Sequence, residues 1–138
     1  MQALVLPYVS TLAAMLAAAS LLLAQLLVAD VAAMRARHVA GTPIPPDLGR
    51  YHYRAARAHA NTNESITAFA LIAAVGVLTQ ASASWLGYAA WLYVFARIAH
   101  MTAYYAHRKA ARSTAFGISI AAQLWMIGIV ATTLREIV

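Results

Sequence analysis

Residues 65–96 read SITAFALIAAVGVLTQASASWLGYAAWLYVFA, a run of 32 residues without a charge. A helix needs roughly 20 apolar residues to cross a hydrocarbon core of about 30 Å. The run is therefore too long for one ordinary span and too short for two. Sequence on either side resolves the conflict. Two helices fit, residues 54–78 and 85–107, joined by a tight turn at residues 79–84. Residues 1–29 and 113–134 are also free of charge and supply two further spans, predicted at residues 4–34 and 112–134. Pro7 falls near the start of the first, where a missing N–H does little harm. Ala17-Ala18-Ala19 resembles a leader cleavage site, but no Lys or Arg precedes the apolar run and the run is too long for a leader. The segment reads as a retained helix. Between the first two spans lies a loop, residues 38–51, in which Pro43, Pro45 and Pro46 cannot continue a helix. A short link at residues 108–111 precedes the last span. The expected architecture is all-α and integral to the membrane: a four-helix transmembrane bundle forming one domain over residues 1–138.

Composition agrees. Of the 138 residues 63% are hydrophobic and 10% charged, where soluble domains carry about 25% charged residues. A soluble fold of this size cannot hide so much apolar surface, so the excess faces lipid. The chain has no Cys, which excludes a disulfide scaffold, thiolate zinc sites, iron–sulfur clusters and a catalytic cysteine. The net charge is +6, but the basic residues flank spans instead of alternating with aromatics along an exposed face. Nucleic acid is therefore not the expected partner. Eight of the ten Lys and Arg residues belong to one side, in the clusters Arg35, Arg37, Arg50, Arg54, Arg57 and Arg108, Lys109, Arg112. The positive-inside rule makes those loops cytoplasmic and puts both termini opposite, in the inner membrane if the source is bacterial. Trp85, Tyr88 and Trp91 suit the far interface. Alanine forms about a quarter of the chain, and small residues let membrane helices approach closely.

The informative residues are those that do not belong in lipid. At 100° per residue Arg57, Asn61 and Glu64 share one arc of the second helix. Arg97, His100, Tyr104 and Arg108 share a face of the third. Arg112, Ser119 and Gln123 line up on the fourth with Phe116 among them, and Asp30 and Arg37 share a face of the first. At 1.5 Å per residue Glu64 lies about 10 Å deeper than Arg57, and Arg97 about 15 Å below its helix end. A Glu64–Arg97 ion pair is thus an expectation, since a lone buried charge costs several kcal/mol. Asp30 and Glu64 cannot neutralise Arg57, Arg97, Arg108 and Arg112 together. An anionic partner is implied: lipid headgroups, or a small acidic cofactor or substrate. Asn61, Ser113, Ser119, Gln123 and Tyr104 add neutral hydrogen bonds that suit a peptide-like ligand.

These residues also carry a resemblance. Arg57-Ala58-His59-Ala60-Asn61-Thr62-Asn63-Glu64 resembles the Arg-Ala-x-x-Asn-x-x-Glu motif of the membrane-associated proteins in eicosanoid and glutathione metabolism (MAPEG). Arg97-Ile98-Ala99-His100-Met101-Thr102-Ala103-Tyr104 is similar to that family's Arg-x-x-His-x-x-x-Tyr stretch, and Arg112-Ser113 to its Arg-Ser after the short link. The likeness covers nearly the whole chain and is nearest to the microsomal glutathione transferase and prostaglandin E synthase branches, bacterial in type. It implies a homotrimer that binds glutathione between subunits, for transferase or peroxidase chemistry on a lipophilic electrophile or hydroperoxide. By motif the catalytic residues are Arg112 and Ser113, with Arg112 stabilising the thiolate. Arg35, Arg57, Asn61, Glu64, Arg97, His100 and Tyr104 are the expected cofactor-binding residues, and no metal is required. Ala60 and Phe116 stand where members with this activity often have a basic residue and a tyrosine. Two other functions compete. One is a lipid-binding or scaffold protein of the same fold without chemistry. The other is a b-type haem protein, for which His52/His59 and His100/His107 are each spaced by seven residues.

Overall fold

A computed structural model describes residues 5–137. Residue 4, the predicted start of the first span, lies outside the described residues. A 3-10 turn, Leu6–Tyr8, leads into α1 (Val9–Arg35); α2 (Tyr51–Leu78), α3 (Ala83–Tyr105) and α4 (Lys109–Ile137) follow. Pro7 sits in the opening turn, as its missing N–H allows. No strand occurs among the described residues.

Several helix ends differ from the sequence reading by two or three residues; α3 starts early, at Ala83, and α4 runs on to Ile137. α2 starts at Tyr51, three residues before the expected Arg54, because the Asp47 carboxylate accepts from Gly49 N–H (2.8 Å) and Arg50 Nε (3.2 Å) and turns the chain into the helix. Arg54 pins the loop instead of heading the helix: its Nη1 donates to the carbonyls of Leu48 and Gly49, both at 2.8 Å. α3 stops at Tyr105, so the link to α4 is only residues 106–108 and α4 starts at Lys109. Arg37 and Arg108 therefore lie outside the helices whose faces they were expected to extend.

The ends of α1, α2 and α3 share one device. Arg37, Gln80 and His107 adopt positive φ of 52°, 57° and 57°. At each, two backbone N–H groups turn back onto the last helical turn, as Ala81 N–H does to the Gly76 carbonyl and Gln80 N–H to Val77. This is the Schellman closure, usually made with glycine. A side chain in the left-handed region costs about 1–2 kcal/mol, partly offset by the freedom glycine loses on folding. Gln80 is exposed, so Gln80→Gly is expected to stabilise the protein by about 0.5–1 kcal/mol. Detergent-titrated unfolding checks it; a loss of stability would contradict the cap geometry.

α1 with its opening turn, α2 and α4 are long and apolar enough to cross a membrane, which makes this a multi-pass membrane protein. Four such helices are expected from sequence, and α3 does not qualify on composition because it carries Arg97, His100 and several tyrosines. It has another way to tolerate them. α3 packs against α1, α2 and α4 and is the most enclosed helix of the bundle, while α1 and α4 lie apart on either side of it. Turns of a few residues at both ends return it antiparallel to α2 and α4. Its polar groups thus face protein instead of lipid.

Small residues set the spacing. Ala14, Ala73, Ala89, Ala90 and Ala122 are all fully buried. At Gly76 a Cβ would lie 2.7 Å from Leu86 Cδ2 and 3.1 Å from Val130 Cγ2, so side chains of α3 and α4 pack directly onto the α2 backbone there. Phe69 stacks on Tyr93 with centroids 4.2 Å apart and planes 9° from parallel. The Tyr93 hydroxyl meets Ser65 Oγ at 2.8 Å, which gives the ring's polar tip a partner inside the bundle. At the far end the Tyr8 hydroxyl donates to the Ala81 carbonyl, and Trp85 and Tyr88 are exposed as an interfacial belt requires. Trp91 departs from that expectation: it is half-buried and stacked on Phe95.

Candidate functional site

The basic loop between α1 and α2 and the three-residue turn between α3 and α4 lie at one end of the bundle, where Tyr51 and Tyr105 touch. Just inside that end is an open cavity of about 220 Å³ lined by Asn61 of α2, His100 and Tyr104 of α3, and Arg112, Ser113 and Phe116 of α4. The short turn brings the last turn of α3 against the first turn of α4. The half-buried Arg112 guanidinium consequently sits 4.6 Å from the centroid of the Tyr104 ring. A cation held over an aromatic face is restrained without being neutralised. His100 stands edge-on to the same ring, centroids 5.0 Å apart, and is 6.1 Å from Phe116. It is buried, and its Nδ1 has no partner among the described residues. Ser113 lines the cavity, but its hydroxyl donates to the Lys109 carbonyl at 3.3 Å.

No carboxylate among the described residues lines this cavity. Among the described residues the one ion pair is Arg50–Asp47 in the loop. The expected Glu64–Arg97 pair does not form. Depth alone places the two at similar levels, but Glu64 lies two residues, and so about 200°, beyond Thr62 on α2. Thr62 is buried toward α3 and Glu64 is exposed. Arg97 is wholly enclosed. Its Nη2 donates instead to Asn61 Oδ1 at 3.0 Å and Thr62 Oγ1 at 2.8 Å. Arg97, expected to bind the ligand, does not line the cavity within this chain: it stands behind Asn61. Thr62 was missed from sequence, although its place 100° round from Asn61 on a polar helix head was a signal for it.

The remaining expected residues do not reach the cavity within one chain. Arg57 and Glu64 lie on the outer edge of the α2 stripe whose inner edge is Asn61. Arg35 lines a different, larger cavity of about 500 Å³, with Leu27, Val31, Tyr51 and His52. Ser119 and Gln123 continue the α4 face inward and are buried; Ser119 Oγ donates to the Phe116 carbonyl at 2.7 Å. The histidine pairs of the haem reading do not converge. His59 lines a cavity beside α1 with Asp30 and His38, His100 faces α4, and His107 is exposed in the turn.

Fold and site together define a class: an all-helical, multi-pass membrane protein that gathers hydrogen-bond donors and an unneutralised arginine in a cleft at the basic end of its bundle. The model of the MAPEG family matches residues 10–132, and the chain belongs to that family. Members of the family are glutathione transferases, peroxidases and related proteins. No curated protein is similar enough to the chain to count as a match.

Proposed function

We propose that the protein binds glutathione and activates it as a thiolate for attack on a lipophilic electrophile or hydroperoxide arriving from the bilayer. The observation that carries this reading is the convergence of Asn61, His100, Tyr104, Arg112 and Ser113 on one cavity that no acid lines. Glutathione brings two carboxylates and a thiol, each of which gains from such a site in its anionic form. Arg112 is the catalytic residue, its guanidinium beside the sulfur. Ser113, after rotation away from the Lys109 carbonyl, adds a hydroxyl donor. In conjugation the sulfur lone pair forms the bond to carbon and the leaving group departs with its electrons. In peroxide reduction the sulfur takes the distal oxygen, the alkoxide gains a proton, and a second glutathione then yields disulfide and water.

A cavity of about 220 Å³ falls below the roughly 300–1,000 Å³ of complete small-molecule sites. One subunit therefore supplies part of the site, and a homotrimer completes it across a subunit boundary. In that assembly Arg35 and the exposed edge of α2, Arg57 and Glu64, reach the ligand from the neighbouring chain. The basic loops lie in the cytoplasm, where glutathione is plentiful, and both termini lie on the other side.

Titrating detergent-purified protein with glutathione while recording the ultraviolet thiolate band tests the reading. A saturable band is expected. Binding without a band would remove the catalytic step and leave a glutathione-binding protein. No binding would overturn the proposal in favour of a second reading, a lipid-binding protein without chemistry. What favours that second reading is the cavity of about 500 Å³, which has apolar Leu27, Val28 and Val31 in its wall and Arg35 and His52 beside them. Its lining suits an acyl chain below an anionic headgroup.

A further inference from the structure

The side-chain amide of Asn61 has one orientation open to it. A guanidinium has five N–H donors and no acceptor, and Arg97 is wholly enclosed against Asn61 and Thr62. The atom of Asn61 that faces Arg97 must therefore be the oxygen Oδ1. Thr62 Oγ1 donates its own proton to the Ala58 carbonyl at 3.2 Å, which leaves its lone pairs for Arg97 and ties the guanidinium to the α2 backbone. The Nδ2 group of Asn61 is turned away from Arg97, toward the cavity that Asn61 lines with Tyr104 and Arg112. No protein acceptor takes it among the described residues.

We propose that Arg97 is a positioning residue: by holding Oδ1 it makes Asn61 present two N–H donors to the cavity, selecting a carboxylate or peptide carbonyl of the ligand at that point. The identity of that ligand as glutathione rests on the proposed function; the orientation does not. An amide free to turn would accept donors and acceptors alike. Fixed by Arg97, it adds to a wall made of donors, and a ligand group bringing an N–H to the same place would leave two donors facing each other.

Asn61 and Asn63 are the only asparagines in the chain, which makes the test direct. Protein labelled with ¹⁵N-asparagine gives two side-chain amide pairs, and Asn63→Gln assigns them. In ligand-free protein the Asn61 Nδ2 protons are expected to exchange with water, and glutathione is expected to shift them. Bound glutathione that leaves the pair unmoved would overturn the proposal, as would protons shielded from water in free protein. Freely exchanging protons with no glutathione binding would uphold the orientation and sink the glutathione reading instead. Asn61→Asp separates positioning from folding. Its carboxylate still pairs with Arg97, so thermal stability is held or raised, while glutathione affinity falls roughly tenfold or more because a donor has become an anion. Unchanged affinity in that variant would also overturn the proposal.

Discussion

Arg112→Ala is expected to abolish the thiolate band of bound glutathione and to lower turnover about 100-fold. A free thiol titrates near 8.5, and holding it mainly as thiolate at neutral pH takes a downward shift of roughly 2 units, or about 3 kcal/mol. Two unit charges about 4 Å apart interact by about 4 kcal/mol at the effective dielectric of a protein surface. One guanidinium beside the sulfur is thus sufficient, and in this cavity no acid competes for it. The Tyr104 ring, 4.6 Å from the guanidinium carbon, restrains the cation while leaving its N–H donors free for the ligand. Arg112→Lys keeps the charge but loses the planar fork, so a partial band and an intermediate rate are expected. Binding measured alongside turnover separates two roles. If Arg112→Ala weakens binding and leaves a full thiolate band on whatever glutathione remains bound, Arg112 holds a carboxylate, and the activation must be assigned elsewhere.

How far the sequence reveals this site depends on which coordinate is asked for. Counting residues along the helices gives depth well: Asn61, His100, Tyr104 and Arg112 fall at one end and do meet. Angle about the axis decides partners, and there depth misleads. Glu64 and Arg97 are level, yet Arg97 bonds Asn61 and Thr62 because these two face α3, and Glu64 is turned outward. The end of α3 was harder to read for a different reason. His107 closes it in the left-handed region where glycine normally marks the stop, whereas the ends of α1 and α2 fall within a residue of the expected 34 and 78. α3 was legible as a helix because the charge-free run of residues 65–96 is too long for one span, although its composition alone would not pass for a span. Arg35 illustrates the limit of a single chain. It lies in a separate cavity with Tyr51 and His52, and in the proposed trimer it is a neighbouring subunit that brings it to the ligand.

Phe69→Ala is expected to cost roughly 2 kcal/mol, less than the about 3–5 kcal/mol that Phe→Ala takes from a water-soluble core. The difference follows from the solvent. In a soluble protein the loss combines a transfer term, for apolar atoms returned to water, with a cavity term of about 24 cal/mol per Å³ left empty. In a bilayer the separated helices remain in hydrocarbon as apolar as the side chain itself, so the transfer term largely drops out. The cavity term stays, because the stack of Phe69 on Tyr93 is enclosed and its neighbours cannot collapse without moving α2 against α3. Tyr93 is also tied to Ser65, four residues from Asn61 on the same helix. Loosening the stack should therefore blunt glutathione binding as well as stability. Reversible unfolding in mixed detergent micelles measures the first effect and calorimetry the second. A cost above about 4 kcal/mol would mean that water enters the separated state and that soluble-core energetics govern this bundle after all.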